Sequence, residues 1–438
     1  MRWLDVLAAA TAALAVWRLG RKSASGPWPA VSAAFLGFAA LAAFGFWNLS
    51  QPDNLAIAPI AVAYWLVVGR GDRHKRLRLG AAGALFAAAF FLKYTAATAL
   101  LGIWLYEGIS SGRFFRSLGN AVLWSTAGFA AVVAAVLAYF AAAGILPAFW
   151  ELNFEILPRY GSVGLAGGPL SQIKLYLWPS VRSLIQVAPY VIVPGLVGLA
   201  AIVAHRRTPE KWAAALWLAT AAIGVLAQRR FYLYHFAVLL PPLAVCGAYG
   251  MSAIAASFKK PWFAILGVVA IVAAFAPARP YKLYFERYRD RVARAAGEEG
   301  AEERFSRFFK FAAYDATAAA TVGAYIGENT APDDRIFVRG FDGTIYFLSG
   351  RLPAGRYVGY YPAAVWFPPS LRDEFITGFI EDPPLYFVVP RGQRVYPILG
   401  TKAGPGALLT SMPRLYKFFT DNYVQTAEFA PYIVYVLT

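Results

Sequence analysis

The chain has 438 residues, of which 59% are hydrophobic and only 15% are charged, and its mean hydropathy is +0.50. This composition excludes an ordinary soluble multidomain protein. The first 277 residues contain 22 basic and 7 acidic residues, whereas the remaining 161 contain 19 and 17. The net charge of +17 therefore belongs to loops between apolar segments and does not indicate nucleic-acid binding. The single cysteine, Cys246, excludes disulfides, and three scattered histidines give no zinc spacing.

Apolar segments of membrane-spanning length fill most of residues 1–277, since a spanning helix needs ~20 apolar residues. Residues 79–106 would form a helix of ~42 Å at ~1.5 Å per residue, which is too long for one crossing. We therefore predict two short helices there that meet at Lys93 and Tyr94. With them, the sequence predicts an α-helical polytopic bundle of about nine transmembrane helices. The other candidate spans are residues 3–17, 28–47, 54–69, 118–144, 186–204, 211–227, 233–256 and 261–277.

Loop charge gives the predicted orientation of this bundle. With nine crossings and an outside N-terminus, fifteen basic residues lie in inside loops and six in outside loops. Positively charged loops prefer the cytoplasm. We therefore expect a multi-pass protein of a bacterial inner membrane, with its C-terminal part periplasmic or extracellular. A cleaved signal peptide at residues 1–17 is disfavoured, because its charges follow the apolar run.

Ionisable side chains on the predicted outer face are candidates for function, because charges near lipid are costly. Asp53 lies in the first turn of a helix, where a carboxylate is also favoured simply by the helix dipole. Lys93 lies between two short helices, where it either extends to the membrane surface or binds a phosphate. Each residue thus has a structural and a functional interpretation.

A second group of candidates follows the apolar run 211–227. Arg229 and Arg230 form a pair, and paired arginines suit multidentate recognition of phosphate. Tyr234 and His235 come next along the chain. Membrane-interface aromatic residues account for the tyrosine without any function, but they do not account for the two arginines.

The longest outside loop, residues 145–185, carries charges among large apolar side chains. We predict a short amphipathic helix in the membrane interface, followed by a mobile glycine-rich piece at residues 161–168. One interpretation is a membrane-surface anchor. The other is a lid or acceptor-contact loop that hinges at the glycines. The polar residues that would act in the second case are Glu151, Glu155, Arg159 and Tyr160.

The order of these features resembles the GT-C superfamily of membrane glycosyltransferases, particularly the glycosyltransferase family 39-like proteins related to protein O-mannosyltransferases and aminoarabinose transferases. The matching pieces are the basic turn 18–22, the acidic turn with Asp53, the pair of helices around residues 90–94, and residues 230–235 running into 240–243. The resemblance covers most of residues 1–277. It implies an outside cavity for a polyprenyl-phosphate sugar, basic residues that hold the lipid phosphate, and a carboxylate that deprotonates the acceptor hydroxyl for an inverting transfer.

The chain also departs from this pattern. Family members begin with an additional helix and a large first outside loop that carries the main catalytic acid, and Asp53 matches their second acidic position. We therefore expect an N-terminally truncated sequence in which Asp53 has a supporting role. On this expectation, residues 1–438 bind the donor but do not complete the transfer.

Beyond the predicted membrane domain at residues 1–277, the sequence predicts a charged linker helix at 278–310 and a small extracytoplasmic α/β domain at 311–438. The turn at residues 340–343, Gly-Phe-Asp-Gly, is either a tight turn or part of a ligand site. The predicted elements of this domain are helices at 311–328, near 343–349 and at 407–420, with strands at 335–339, 384–389 and 432–437.

The function favoured by the sequence is glycosyl transfer from a polyprenyl-phosphate sugar to an extracytoplasmic lipid, glycan or protein. Lys93, Arg229, Arg230, Tyr234 and His235 are the predicted phosphate-binding residues. The expected partners are membrane lipid and the lipid-linked sugar; the sequence predicts no metal ligands and leaves a divalent ion open. The alternative is a non-catalytic membrane scaffold or lipid-handling protein, which would share the basic pocket. A transporter is disfavoured because no inverted repeat is visible.

Overall fold

A computed structural model describes residues 2–21, 27–45, 48–71, 73–162, 173–204, 209–257, 280–307, 310–311, 314–340, 342–358, 362–391 and 405–438. The chain divides into two compact units. The first comprises Met1–Leu146 and Leu170–Glu286, and the second comprises Pro147–Pro169 and Arg287–Thr438. Residues 147–162 of the loop predicted at 145–185 therefore belong to the same unit as the C-terminal α/β region, whereas residues 173–185 belong to the first unit.

The first unit is a helical membrane domain. Short 3₁₀ helices at Tyr94–Ala99 and Leu233–Leu239 precede the α-helices that begin at Leu100 and Leu240, and a π-helical turn at Ile173–Leu177 precedes the α-helix that begins at Trp178. Its α-helices are α1 (Arg2–Gly20), α2 (Pro27–Ala43), α3 (Pro52–Val67), α4 (Lys75–Leu92), α5 (Leu100–Ser110), α6 (Phe114–Ala142), α7 (Trp178–Val187), α8 (Pro189–Ala204), α9 (Pro209–Gln228) and α10 (Leu240–Ser257).

Several of these helices are apolar and long enough to cross a membrane. Among the described residues they are Trp3–Gly20, Phe114–Ala142, Pro209–Gln228 and Leu233–Ala253, and the α7–α8 pair, bent by 101°, would be a fifth. The helices α2 and α3 are apolar but shorter. The predicted helical membrane bundle is confirmed. The count of nine stays a prediction, because the segment 261–277 lies outside the described residues.

The predicted break at Lys93 is confirmed. Helix α4 ends at Leu92, and Lys93 has an extended backbone with φ −155° and ψ 112°. The chain then forms the 3₁₀ turn and continues into α5. The break places a charged side chain at the junction of two apolar helices rather than in the middle of one.

Close backbone contacts and one aromatic stack hold the bundle together. A Cβ atom at Gly83 in α4 would lie 1.8 Å from the carbonyl oxygen of Ser125 in α6, so only glycine permits this approach. Tyr64 in α3 stacks on Trp217 in α9 with ring centroids 4.4 Å apart. The Tyr64 hydroxyl donates to the carbonyl oxygen of Ala99 at 2.7 Å. These contacts fix α3, α9 and the 3₁₀ turn after Lys93 relative to one another.

The second unit begins with three short helical pieces from the outer loop: Leu146–Trp150, a π-helical turn at Glu151–Ile156, and Leu157–Ser162. Its other helices are α11 (Pro280–Ala295), α12 (Ala301–Ser306), α13 (Ala316–Glu328), α14 (Thr344–Ser349), α15 (Pro369–Glu381), α16 (Pro405–Thr410) and α17 (Pro413–Asn422), with a π-helical turn at Pro362–Trp366. Its strands are β1 (Lys310–Phe311), β2 (Tyr314–Asp315), β3 (Arg335–Val338), β4 (Leu352–Pro353), β5 (Tyr386–Pro390), β6 (Tyr423–Phe429) and β7 (Tyr432–Leu437).

Five of these strands form a mixed sheet in the order β4-β3-β5-β7-β6. Strand β3 pairs in parallel with β4 and β5, whereas β7 pairs antiparallel with β5 and β6. Phe337 of β3 and Phe387 of β5 are fully buried in one apolar core, and Ile156 from the outer loop packs into the same core. The predicted α/β domain is confirmed.

The structure differs from the sequence prediction in the details of this unit. The predicted single linker helix is two helices, α11 and α12, separated by Gly297 and Gly300 with positive φ angles of 71° and 68°. Helix α13 begins at Ala316 rather than residue 311, because the Asp315 side chain caps it by accepting from the amides of Thr317 and Ala318. The strand β6 was not predicted.

Candidate functional site

Two predicted residues, Asp53 and Lys93, meet within the membrane unit. Asp53 is in the first turn of α3 and is fully buried, with 0% of its surface exposed. Its Oδ2 atom lies 3.4 Å from Lys93 Nζ. The N-cap of α3 is Gln51, which makes no side-chain capping hydrogen bond. Asp53 thus lies in the first turn, as the helix-dipole interpretation requires, but it is also one half of an ion pair.

His235 completes the cluster from the other end of the sequence. Its Nε2 atom lies 3.4 Å from Lys93 Nζ, and its ring is buried against the edge of Tyr234 at a centroid distance of 4.6 Å. A lysine ammonium carries only donors, so Nε2 can interact with it only as an acceptor, which places the ring proton on Nδ1. Within the described part of the chain, Nδ1 has no hydrogen-bond partner.

A small cavity opens beside Asp53 and Lys93. Its water-accessible volume is ≈ 10 Å³, enough for about one water molecule. Thr98, Gly224 and Gln228 also line it. A Cβ atom at Gly224 would lie 2.5 Å from Thr98 Oγ1, so glycine at this position keeps α9 close to the 3₁₀ turn. Gln228 is a polar residue at the end of an apolar helix. This pattern is visible in the sequence, but Gln228 is not among the predicted site residues.

The chain segments on both sides of this cavity contain unusual backbone. Ser50, shortly before Asp53, has a φ of 57°, and Arg229 and Phe231, just after Gln228, have φ values of 57° and 46°. Left-handed conformations in residues other than glycine cost of order 1–3 kcal/mol each and concentrate at functional sites. The Ser180 hydroxyl donates to the carbonyl oxygen of Phe231, which helps to hold the second turn.

The two predicted arginines directly follow Gln228, one of the residues that line this cavity. Arg229 is exposed and Arg230 is half-buried, and neither is among the described residues that line the cavity. Tyr234 is half-buried against His235. Contacts thus join Asp53 to Lys93, Lys93 to His235 and His235 to Tyr234, whereas the phosphate role of the arginine pair stays a prediction.

Glu151 has a different environment from the one predicted. In the second unit, its Oε2 lies 3.1 Å from Arg356 Nη2, and Arg356 Nε lies 2.9 Å from an oxygen of Glu374. The Tyr357 hydroxyl donates to Glu151 Oε1 at 3.4 Å, and burial raises the pKa of Tyr357 to about 12. These bonds and the buried side chain of Ile156 hold residues 147–162 against the α/β region.

The other residues predicted for this loop are described only in part. Glu155 and Arg159 are exposed. The side chain of Tyr160 and the glycine-rich residues 163–168 lie outside the described part of the chain. A lid role for this loop therefore stays a prediction.

Asp5 is a further buried carboxylate, which the sequence prediction treated only as part of the first span. It lies near the start of α1 and accepts hydrogen bonds from the Ser50 amide at 2.8 Å and the Ser50 hydroxyl at 2.6 Å. It thereby holds the left-handed residue that precedes the Asp53 turn. In the described residues, no group of three or more His, Cys, Asp or Glu side chains is placed to hold a metal ion.

The sequence matches no family model and no curated protein. Solved structures do match. ArnT from Cupriavidus metallidurans bound to undecaprenyl phosphate aligns with a TM-score of 0.54 at 14% identity, over 99% of this chain and 83% of that chain. The same protein in the apo state aligns with a TM-score of 0.52 at 13% identity, over the same shares. The chain has the GT-C fold.

The GT-C fold agrees with the expectation from the order of sequence features. At 13–14% identity the likeness establishes the fold alone, and it transfers no residue roles. The functional conclusion therefore rests on the geometry around Lys93.

Proposed function

We propose that this GT-C protein transfers a sugar from a polyprenyl-phosphate donor to an acceptor outside the cytoplasm. The observation that carries the proposal is the position of Lys93. Its ammonium group lies at a helix break in an apolar unit, beside a buried carboxylate and a buried imidazole. Burying ionisable groups in a membrane domain costs free energy, so such groups mark functional sites by default.

The hydrogen-bond donors at this position suit a phosphate group. A lysine ammonium is a compact charge with three N–H donors, and it binds phosphate oxygens as a point charge. The His235 Nδ1–H is buried and has no partner among the described residues, and leaving such a group unsatisfied costs about 1–3 kcal/mol. A phosphate oxygen would satisfy it. The similar fold of ArnT, whose structure contains bound undecaprenyl phosphate, supports a polyprenyl chain on that phosphate.

These residues would act mainly on the leaving group. In an inverting transfer the acceptor oxygen attacks C1 of the sugar, the bond from C1 to the phosphate oxygen breaks, and the electron pair goes to that oxygen. Lys93 would stabilise the developing charge there. The acceptor hydroxyl loses its proton to a carboxylate base, a role that the family resemblance gives to a residue other than Asp53. Asp53 would orient Lys93 and accept a hydrogen bond from the sugar or the acceptor.

We also propose a bacterial inner-membrane location with the second unit periplasmic or extracellular, as loop charge predicts. Its test is labelling of Glu299→Cys, an exposed position, in a Cys246→Ala background. An impermeant thiol reagent should label this cysteine in intact spheroplasts. Labelling only after the membrane is broken would reverse the orientation.

The binding test compares undecaprenyl phosphate with undecaprenol, which lacks the phosphate. We expect the phosphate alone to raise the melting temperature of the detergent-solubilised protein, because a ligand at about 100 times its Kd contributes ~2.7 kcal/mol. Lys93→Gln should weaken the binding by a factor of ~10 to 100, which is the worth of a hydrogen bond to a charged group. Lys174→Gln, at an exposed lysine of the same unit, is the matched control and should bind normally.

Transfer is then measured as release of polyprenyl phosphate from a labelled polyprenyl-phosphate sugar in membranes. Release that depends on Lys93 supports the transferase. Phosphate-dependent binding without release under any acceptor condition is what the lipid-handling alternative predicts, and it is also expected if Asp53 only supports another carboxylate that acts as the base. Equal stabilisation by undecaprenol, or an unchanged affinity in Lys93→Gln, would contradict the proposed phosphate site.

A further inference from the structure

A second cavity in the membrane unit lies beside Asp5. It is enclosed by α1, α2 and α3, and its water-accessible volume is ≈ 120 Å³. A single water needs about 10–15 Å³ of such volume, so the cavity has room for a larger group. Its walls are mainly apolar and include Val6, Phe38, Leu41 and Ile57.

Two buried polar side chains also line this cavity. Asp5 is 9% exposed and Asn54 is 4% exposed. Asn54 follows Asp53 directly, yet Asp53 lines the other cavity, beside Lys93. The first turn of α3 thus contributes one polar residue to each of two separate cavities.

The hydrogen bonds already made here leave more acceptor than donor positions open, since the second N–H of Asn54 Nδ2 is the one donor that they leave on these two side chains. The Asn54 Nδ2 group donates to the carbonyl oxygen of Asn48, whereas Asn54 Oδ1 has no partner among the residues that the structure describes. The Asp5 carboxylate has about four acceptor positions, of which the Ser50 amide and hydroxyl use two. The larger number of open acceptors therefore favours a ligand that donates hydrogen bonds from its polar end and is apolar behind it.

We propose that this cavity binds the polar end of an amphiphile that carries a hydroxyl or an ammonium group, with its donor directed to Asp5 and Asn54 and its alkyl part against the apolar wall. If the proposed transferase function holds, this amphiphile is the acceptor, since an acceptor hydroxyl is a hydrogen-bond donor. The binding itself does not depend on that function.

The test uses a straight-chain alkanol with a mid-chain diazirine, photolysed with the full-length protein in nanodiscs and mapped by tandem mass spectrometry. Its methyl ether, which cannot donate, is the matched probe, and the corresponding alkylamine is the ammonium arm. We expect labels on the α1 and α2 segments that line the cavity, ~10-fold more from the alcohol or the amine than from the ether, as one charge-assisted hydrogen bond would give. The probe that labels more, the alcohol or the amine, identifies the head group of the amphiphile.

Asp5→Asn is the informative variant. Its amide can still accept from the Ser50 amide and can donate to the Ser50 hydroxyl, so the turn keeps its support while the carboxylate is lost. Donor-dependent labelling should fall ~10-fold in this variant. Glu210→Gln removes a half-buried carboxylate of the same unit that does not line this cavity, and it should leave the labelling unchanged.

Equal labelling by alcohol, amine and ether, or labelling that Asp5→Asn does not change, would overturn the proposal and leave a cavity filled by lipid chains. The undecaprenyl phosphate melting assay on the same variants separates the two claims. If the phosphate stabilises Asp5→Asn but donor-dependent labelling is absent in the unsubstituted protein, only this inference fails. If labelling is donor-dependent but the phosphate has no effect, the proposed function fails and the amphiphile site stands.

Discussion

Two lysine–carboxylate pairs in the membrane unit differ in their geometry. Lys75 at the start of α4 and Glu107 near the end of α5 lie 2.6 Å apart, and the Glu107 side chain is only 5% exposed. Lys93 and Asp53 lie 3.4 Å apart, beside a histidine and a cavity. A separation of 2.6 Å is typical of a tight charge-assisted contact, whereas 3.4 Å is longer than such contacts normally are.

The difference between the pairs shows that a buried ion pair alone does not identify a functional site. The first pair joins two helix ends and has the form of a structural link. The second pair combines a loose contact, a cavity and left-handed backbone at Ser50 and Arg229 on the two adjoining chain segments. Strained backbone beside loosely paired charges is the combination that a ligand would stabilise.

The largest expected effect tests the structural pair. Glu107→Gln keeps the shape of the side chain but removes the tight ion pair, and it should lower the free energy of unfolding by about 2 kcal/mol, less than for a fully buried pair because Lys75 is about a third exposed. The measurement is chemical denaturation in detergent. A stability equal to that of the unsubstituted protein would show that this pair is not a structural link.

Gly224→Ala tests the packing at the cavity beside Asp53 and Lys93. The added Cβ would lie 2.5 Å from Thr98 Oγ1 and 2.7 Å from the Thr95 carbonyl oxygen, so α9 or the 3₁₀ turn must move, at a cost of about 1–3 kcal/mol. Undecaprenyl phosphate binding should weaken as well. In Gly119→Ala of α6, the control, the Cβ meets nothing within 4 Å, and stability should be unchanged or slightly higher.

Asp53→Asn should have opposite effects on binding and transfer. Removing the carboxylate frees Lys93 and removes a repulsion, so undecaprenyl phosphate should bind tighter by about 1–2 kcal/mol, while transfer falls. Stability without ligand should change much less than in Glu107→Gln, because the ion pair is loose and Asp53 is costly to bury as a charge. Weaker phosphate binding in this variant would show that Asp53 helps to build the phosphate site.

The smallest expected effect on stability concerns residues 146–162. Arg356→Gln removes the contacts with Glu151 and Glu374, but the arginine is about half exposed, so the loss of stability should be ~0.5 kcal/mol. Hydrogen exchange of residues 146–162 should nevertheless become faster. An unchanged exchange rate would mean that Ile156 alone holds the segment.

The fold and one side of the site could be predicted from sequence for identifiable reasons. Lys93 lies inside the 28-residue apolar run 79–106, which is too long for one crossing, so a helix break at Lys93 could be predicted. The order of the residues predicted for the outer face produced the resemblance to the GT-C superfamily. The rest depends on distant contacts. Glu151 and Arg356 are 205 residues apart, and Asp5 meets Ser50 across 45 residues, and no local pattern encodes either pairing.

Other misses had usable local signals. The glycines at 297 and 300 mark the end of one helix and the start of the next. Val424 and Thr426 lie just before the predicted strand at 432–437, and β-branched residues on the far side of a short turn favour a hairpin. The arginine pair is favoured because guanidinium groups bind phosphate well, but no local pattern shows whether the pair faces the cavity beside Lys93.

The most direct test of the phosphate site is a structure of the full-length protein in nanodiscs with undecaprenyl phosphate bound. We predict that the phosphate group lies within hydrogen-bond distance, roughly 2.7–3.2 Å, of Lys93 Nζ, with Lys93 drawn away from Asp53. A phosphate held by Arg229 and Arg230 instead, with Lys93 still paired to Asp53, would contradict this assignment.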